Sequence, residues 1–68
     1  MGRPSYPLHQ EELGLLALIA QGLQVGTIAR ELDTSERTVR RRTRRICDRL
    51  GVGTPVEAVV WAVRRGLL

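Results

Sequence analysis

Residues 25–50 read VGTIARELDTSERTVRRRTRRICDRL, and this stretch decides the fold. Val25, Ile28, Ala29 and Leu32 recur at helical spacing and predict a short helix over residues 25–32. Asp33-Thr34-Ser35 follows as a turn rich in side chains that cap helices. Ser35 is placed as the N-cap of a second helix over residues 36–50, and Glu36 suits the positive end of that helix. Val39, Thr43, Ile46 and Leu50 form its narrow inward stripe. Gly26 weakens the shorter helix, so packing has to hold it.

Working outward, residues 10–21 predict another helix, with Leu13, Leu16, Ala17 and Ala20 inward. His9 stands at its N-cap with Glu12 three residues on, Leu8 and Leu13 are spaced for a hydrophobic staple, and Gly22 ends it. On the other side, Gly51 stops the basic helix. Thr54-Pro55-Val56-Glu57 then starts a fourth helix over residues 55–65, closed by Gly66. The fold class is all-α, four helices with short joints, and the pair 25–32 and 36–50 has the spacing of a helix-turn-helix. Residues 1–7, with Gly2, Pro4 and Pro7, read as an N-terminal arm or linker with Tyr6 as a packing anchor, and residues 8–68 as the domain.

Composition narrows the function. At 68 residues there is room for one small domain, too little for an enzyme with its own cofactor fold. Apolar residues make up 43% of the chain and there is no Phe, so the core is aliphatic. One cysteine and one histidine exclude an internal disulfide and any Cys- or His-based metal cluster. Cys47 reads as a small buried hydrophobe. No apolar run approaches the ~20 residues needed to span a bilayer, and residues 1–7 lack a signal-peptide core. No Ser-His-Asp set, paired acid cluster or phosphate loop appears. The expectation is therefore a non-enzymatic cytoplasmic domain without cofactor.

The charge is concentrated. All 11 basic residues are arginine against 7 acidic residues, a formal charge of +4. Residues 36–50 alone carry seven arginines against Glu36 and Asp48, a net +5, so the rest of the chain is nearly neutral. With Val39 inward and ~100° per residue, Arg37, Arg41 and Arg44 point outward. Arg40 lies on one shoulder, and Arg42, Arg45 and Arg49 lie on the other. Asp48, four residues after Arg44, is placed to steer or partly neutralise it. A solvated charged face is the bland alternative. Crowding one sign of charge costs helix stability, however, and favours a polyanionic partner. In a helix-turn-helix the second helix enters the major groove of double-stranded DNA, where Arg grips guanine through O6 and N7.

An ordered series of short motifs adds to this. Ala20-Gln21-Gly22-Leu23, Ile28-Ala29, Leu32, Ser35, Thr38-Val39-Arg40, Ile46, Leu50-Gly51-Val52, Glu57-Ala58-Val59, Ala62 and Gly66-Leu67-Leu68 resemble the LuxR/FixJ-type (GerE-like) DNA-binding domain, from Leu8 to the end of the chain. The resemblance implies a bacterial transcription regulator that binds DNA as a dimer, at the nucleoid, with a sensory domain possible upstream. It places base contacts on Arg40, Arg41 and Arg44. It places phosphate contacts on Thr34, Ser35, Thr38, Arg42 and Arg45, with which the outward Arg37 is grouped. The chain departs from the family pattern at Gly14, at Val25-Gly26-Thr27 where many members have Asn-Lys-Glu, at Arg42 where many have His, and at Pro55. Binding then leans harder on the basic helix.

In the fourth helix Ala58, Val59, Ala62 and Gly66 suffice for a core stripe. Val56, Val60, Trp61 and Arg64 are left on the other side. They predict a weak homodimer seam, with Trp61 fairly exposed in the free domain; the alternative folds Trp61 back onto the core. Other functions compatible with the pattern are a promoter-recognition module like the last region of a sigma factor, the DNA-targeting part of a recombinase or transposase, and a helical adaptor for an acidic protein. The Glu57-Ala58-Val59 to Gly66-Leu67-Leu68 ending argues against the sigma-like module.

Overall fold

In the computed structural model, residues 8–68 are described; the expected arm at residues 1–7, Tyr6 included, lies outside them. Four helices follow in order: α1 (Gln10–Ala20), α2 (Val25–Glu31), α3 (Glu36–Leu50) and α4 (Pro55–Arg64). The described residues contain no strand. Three helices stop one residue before the expected end, because Gln21, Leu32 and Arg65 serve as their C-caps.

The starts of α1, α3 and α4 follow from capping chemistry, whereas α2 begins after Gln24 with no side-chain cap. The His9 backbone N–H donates to Glu12 Oε1 at 2.8 Å, and Leu8 is buried just before it. The Thr38 N–H donates to Ser35 Oγ at 3.1 Å, as the cap on α3 requires. At α4 the cap is reciprocal: the Glu57 N–H donates to Thr54 Oγ1 at 3.2 Å, and Glu57 Oε1 accepts from the N–H groups of Thr54 at 2.9 Å and Gly53 at 2.7 Å. A hydroxyl cap of this kind contributes about 1 kcal/mol.

The helix ends are equally local. Gly51 ends α3 at φ 70°, a left-handed conformation that glycine takes without a Cβ penalty. After α2 the same role falls to Asp33, at φ 55°. Its N–H donates to the Arg30 carbonyl at 3.2 Å, and the Thr34 N–H reaches back to the Ala29 carbonyl at 2.9 Å. This bond pattern closes the turn that sets α3 against α2.

The core is aliphatic, as the composition predicts. Leu15, Leu16, Ile28, Val39 and Ile46 are fully enclosed, joined by Leu8, Ala29, Cys47, Ala58 and Ala62. Each large side chain so enclosed contributes roughly 1.5–3 kcal/mol by leaving water. α1 packs mainly on α4, and α2 on α3. The two fully buried alanines of α4 leave its backbone room to approach α1 closely. Burial, with the Asp48 carboxylate next in effect, pushes the Cys47 thiol up from its ordinary value of 9.0, which keeps it a neutral core group.

Several inward positions differ from expectation. Leu15 is buried although the stripe read from the sequence omits it, and Ala20 is exposed. α1 is apolar on almost every side, so its period alone does not choose the inward face. Leu32 is 37% exposed, because the chain turns away at the α2 C-cap. Gly66 is exposed past the end of α4. Trp61 is partly buried against the core instead of fairly exposed, with the Arg65 guanidinium 4.1 Å above its ring centre. Among the described residues no helix is long and apolar enough to cross a membrane.

Candidate nucleic-acid interface

The basic helix is held in place from both ends and from one side. Val39, Ile46 and Cys47 sink into the core. Thr43 lies on the same flank, and its hydroxyl donates to the Val39 carbonyl at 2.8 Å. Arg49 Nη1 donates to Glu12 Oε1 at 2.7 Å, tying the last turn of α3 to the first turn of α1. Glu12 is mostly buried there, with 15% of its side chain exposed, so this pair is less screened than a surface one. The sequence carries no local signal for it, since the partners stand 37 residues apart.

The remaining arginines of α3 face solvent. Arg37, Arg40, Arg41, Arg42, Arg44 and Arg45 are all exposed. The two shoulders expected from helical geometry meet different neighbours. Arg42 and Arg45 line a cleft against α1 together with Glu11 and Leu32. Arg40 and Arg44 edge a groove floored by Ile19, Val25, Val39 and Cys47. Their pairing also differs. Arg40 Nη2 lies 3.2 Å from Glu36 Oε1, and Arg44 Nε lies 3.9 Å from Asp48 Oδ1. Among the described residues Arg37, Arg41, Arg42 and Arg45 make no ion pair. The Arg44–Asp48 spacing was legible from the sequence. The Glu36–Arg40 pair has the same i, i+4 signal, which the sequence reading passed over.

At the head of α3, Ser35 and Thr38 form a closed local unit. Ser35 Oγ donates to Thr38 Oγ1 at 2.9 Å while accepting the Thr38 N–H. Thr34 is half-buried in the turn and Ser35 is exposed. These three residues therefore cluster at the positive end of the helix, where anionic oxygen is favoured electrostatically.

The outer face of α4 is of another kind. Val56 is 68% exposed, Val60 42% and Val63 53%. They stand at i, i+4 and i+7, one row along the helix. Val63 was missed in the sequence reading, which set Trp61 in this place. Arg64 is exposed beside the row, whereas Trp61 turns toward the core under Arg65.

Residues 7–62 match the family model described as bacterial regulatory proteins, luxR family (GerE). The chain is also 41% identical over 61 residues to the transcriptional regulatory protein YdfI of Bacillus subtilis (strain 168). That match covers 90% of this chain and 29% of the relative, so the chain spans less than a third of that protein's length. With four helices, a capped turn between α2 and α3, and a family match over most of its length, the chain belongs to the luxR family of bacterial regulatory proteins and carries its DNA-binding helix-turn-helix fold.

Proposed function

We propose that this chain reads a specific sequence in double-stranded DNA for a bacterial transcriptional regulator, at the nucleoid, with α3 in the major groove. Arg40, Arg41 and Arg44 contact base edges. Thr34, Ser35, Arg37, Thr38, Arg42 and Arg45 contact phosphates on either side. The observation that carries this reading is the exposed arginine face of α3, borne on a helix whose inner side is fully committed to the core. An α-helix fits the major groove, and the guanidinium fork matches both guanine and phosphate.

We further infer that α4 pairs with α4 of a second copy. The seam is centred on Val56, Val60 and Val63, with Arg64 at its rim and Trp61 at the edge nearest the core. A row this short buries less than the ~1,200 Å² of a standard stable interface, so the free chain associates weakly. DNA holds two copies on half-sites about one helical turn apart.

A duplex selected from a random pool by this chain supplies the test. Arg41→Ala or Arg44→Ala should cost ~1–3 kcal/mol on that duplex and relax preference at particular base pairs. Arg42→Ala or Arg45→Ala should weaken all duplexes alike and reduce the salt slope by about 1. Equal losses on selected and random DNA for Arg41 and Arg44 would overturn the base-reading role. Failure to bind duplex DNA at all would return the basic face to an acidic protein partner.

A further inference from the structure

Gly26 stands in the first turn of α2 with ordinary helical backbone; the left-handed glycines among the described residues are Gly22, Gly51 and Gly66. Nothing in its backbone asks for glycine, a poor helix former. What a Cβ at this position would meet first is the Glu36 carboxylate, with Oε2 at 3.0 Å, and then Arg30 Nη1 at 4.0 Å. The other oxygen of that carboxylate, Oε1, is the one that faces Arg40 Nη2 at 3.2 Å. One exposed carboxylate is thus seated against α2 on one side and holds an arginine of α3 on the other.

Resting on the reading of α3 as the DNA-reading helix, we propose that Glu36, seated by the absent side chain of Gly26, is a positioning and specificity-determining residue that turns Arg40 into a reader of a G·C pair. The chemistry distinguishes Arg40 from its neighbours. Among the described residues Arg37, Arg41, Arg42 and Arg45 face no carboxylate within ion-pair distance, which leaves them open to phosphate. A phosphate approaching Arg40 must also approach Glu36, and the repulsion between them cancels much of the attraction. A guanine edge is neutral, offers O6 and N7 to the guanidinium, and brings the N4 amino group of its paired cytosine as a donor that Glu36 can accept. The couple therefore gains on G·C and loses on bare backbone, discrimination achieved partly by a penalty on the wrong partner. Arg44 and Asp48 repeat the spacing, but at 3.9 Å and with 82% and 72% of the two side chains exposed. Arg40 and Glu36 are closer, at 3.2 Å, and less exposed, at 65% and 53%, so the second pair is the looser comparison within the same helix.

The test uses the whole chain, the selected duplex, single G·C to A·T replacements within it, and a random duplex, followed by fluorescence anisotropy at several salt concentrations. Arg40→Ala identifies the base pair read at that position. Glu36→Gln should bind random duplex more tightly, steepen the salt slope, and lower the selected-to-random ratio by roughly 3- to 10-fold, with the loss centred on that base pair. Gly26→Ala changes no charge and favours helix in α2, yet should soften preference at the same base pair by displacing the carboxylate. Asp48→Asn, whose pair with Arg44 is longer and more exposed, should move the ratio less than Glu36→Gln does, and an equal change overturns the α2 seat. Thermal unfolding of the Glu36 and Gly26 variants should show a folded domain, Gly26→Ala at least as stable as the parent. An unchanged ratio and base preference in Glu36→Gln, with Arg40→Ala still selective at its pair, overturns the proposal and leaves DNA reading intact. An unchanged preference in Gly26→Ala overturns the seat. If the parent chain shows no preference between duplexes, the reading of α3 itself falls, and this inference with it.

Discussion

α3 and α4 are built alike and finish differently. Both begin at a hydroxyl cap, Ser35 and Thr54, and both press small or aliphatic residues into the core. On the outside, α3 presents arginines spaced at i, i+4, such as Arg37, Arg41 and Arg45, while α4 presents Val56, Val60 and Val63. Each exterior carries a cost in the free domain. Like charges one turn apart repel by about 0.2–0.5 kcal/mol per pair, and uncovered valine leaves apolar area in water. A polyanion relieves the first and another apolar surface relieves the second. The contrast therefore separates two partners by their chemistry, and salt should act on them in opposite directions.

The largest expected effect comes from that opposition. If a dimer neutralises ~6–10 phosphates, affinity for DNA should fall by ~10³–10⁵ between about 50 and 200 mM salt. Self-association through α4, followed by sedimentation without DNA, should hold or strengthen over the same range. A flat salt response of DNA binding would erase the difference between the two faces.

The core beneath both faces comes next. Ile46 is fully buried on the inner side of α3, and Ile46→Ala should cost about 2–5 kcal/mol in urea unfolding. DNA binding should be lost only where the domain unfolds. A loss of affinity in a fully folded variant would mean that this position affects the outer face directly.

A charge placed on α4 sharpens the contrast further. Val63→Glu should leave the single domain within about 0.5 kcal/mol of the parent, because the site is exposed and Glu suits a helix. Cooperative binding to a duplex with two half-sites should weaken by roughly 10-fold, or about 1.4 kcal/mol, while binding to one half-site stays put. Equal losses on one and two half-sites would remove the seam from α4.

The smallest effect belongs to the turn between α2 and α3. Asp33 holds a left-handed φ of 55° where glycine would be unstrained. Asp33→Gly should raise stability by roughly 0.5–1 kcal/mol in thermal or urea unfolding without changing base preference. A destabilised variant would mean that the aspartate side chain supports the turn.

The existence and order of the helices were legible because their signals are local. A hydroxyl followed three residues later by Glu, a glycine where the chain must turn left-handed, and apolar residues at helical spacing act within one turn of backbone. α3 was read most fully, since its polar and apolar residues alternate in a single clear period. α1 was not, because Leu13, Leu15, Leu16, Leu18 and Ile19 offer several inward faces and only packing against the other helices, α4 foremost, selects among them. The candidate site divides in the same way. Helical geometry found the outward arginines and both shoulders, and the i, i+4 rule found Arg44 with Asp48. Trp61 lies inward of its expected place and Val63 takes the outward one, because a four-residue core stripe on a short helix leaves its flanks undetermined.

By itself the sequence determined a small all-α domain, a capped turn between two helices, and one strongly basic helix face, all consequences of short-range backbone chemistry and of charge counted along one helix. Tertiary structure decided the rest. It chose Leu15 over Ala20 for the core and tied Arg49 to Glu12 across the bundle. It turned Trp61 inward under Arg65, and it brought the bare Gly26 of α2 against Glu36 of α3. Those pairings join residues far apart in the chain or on different helices. Their distance is set by how the helices pack, a quantity that no local period contains.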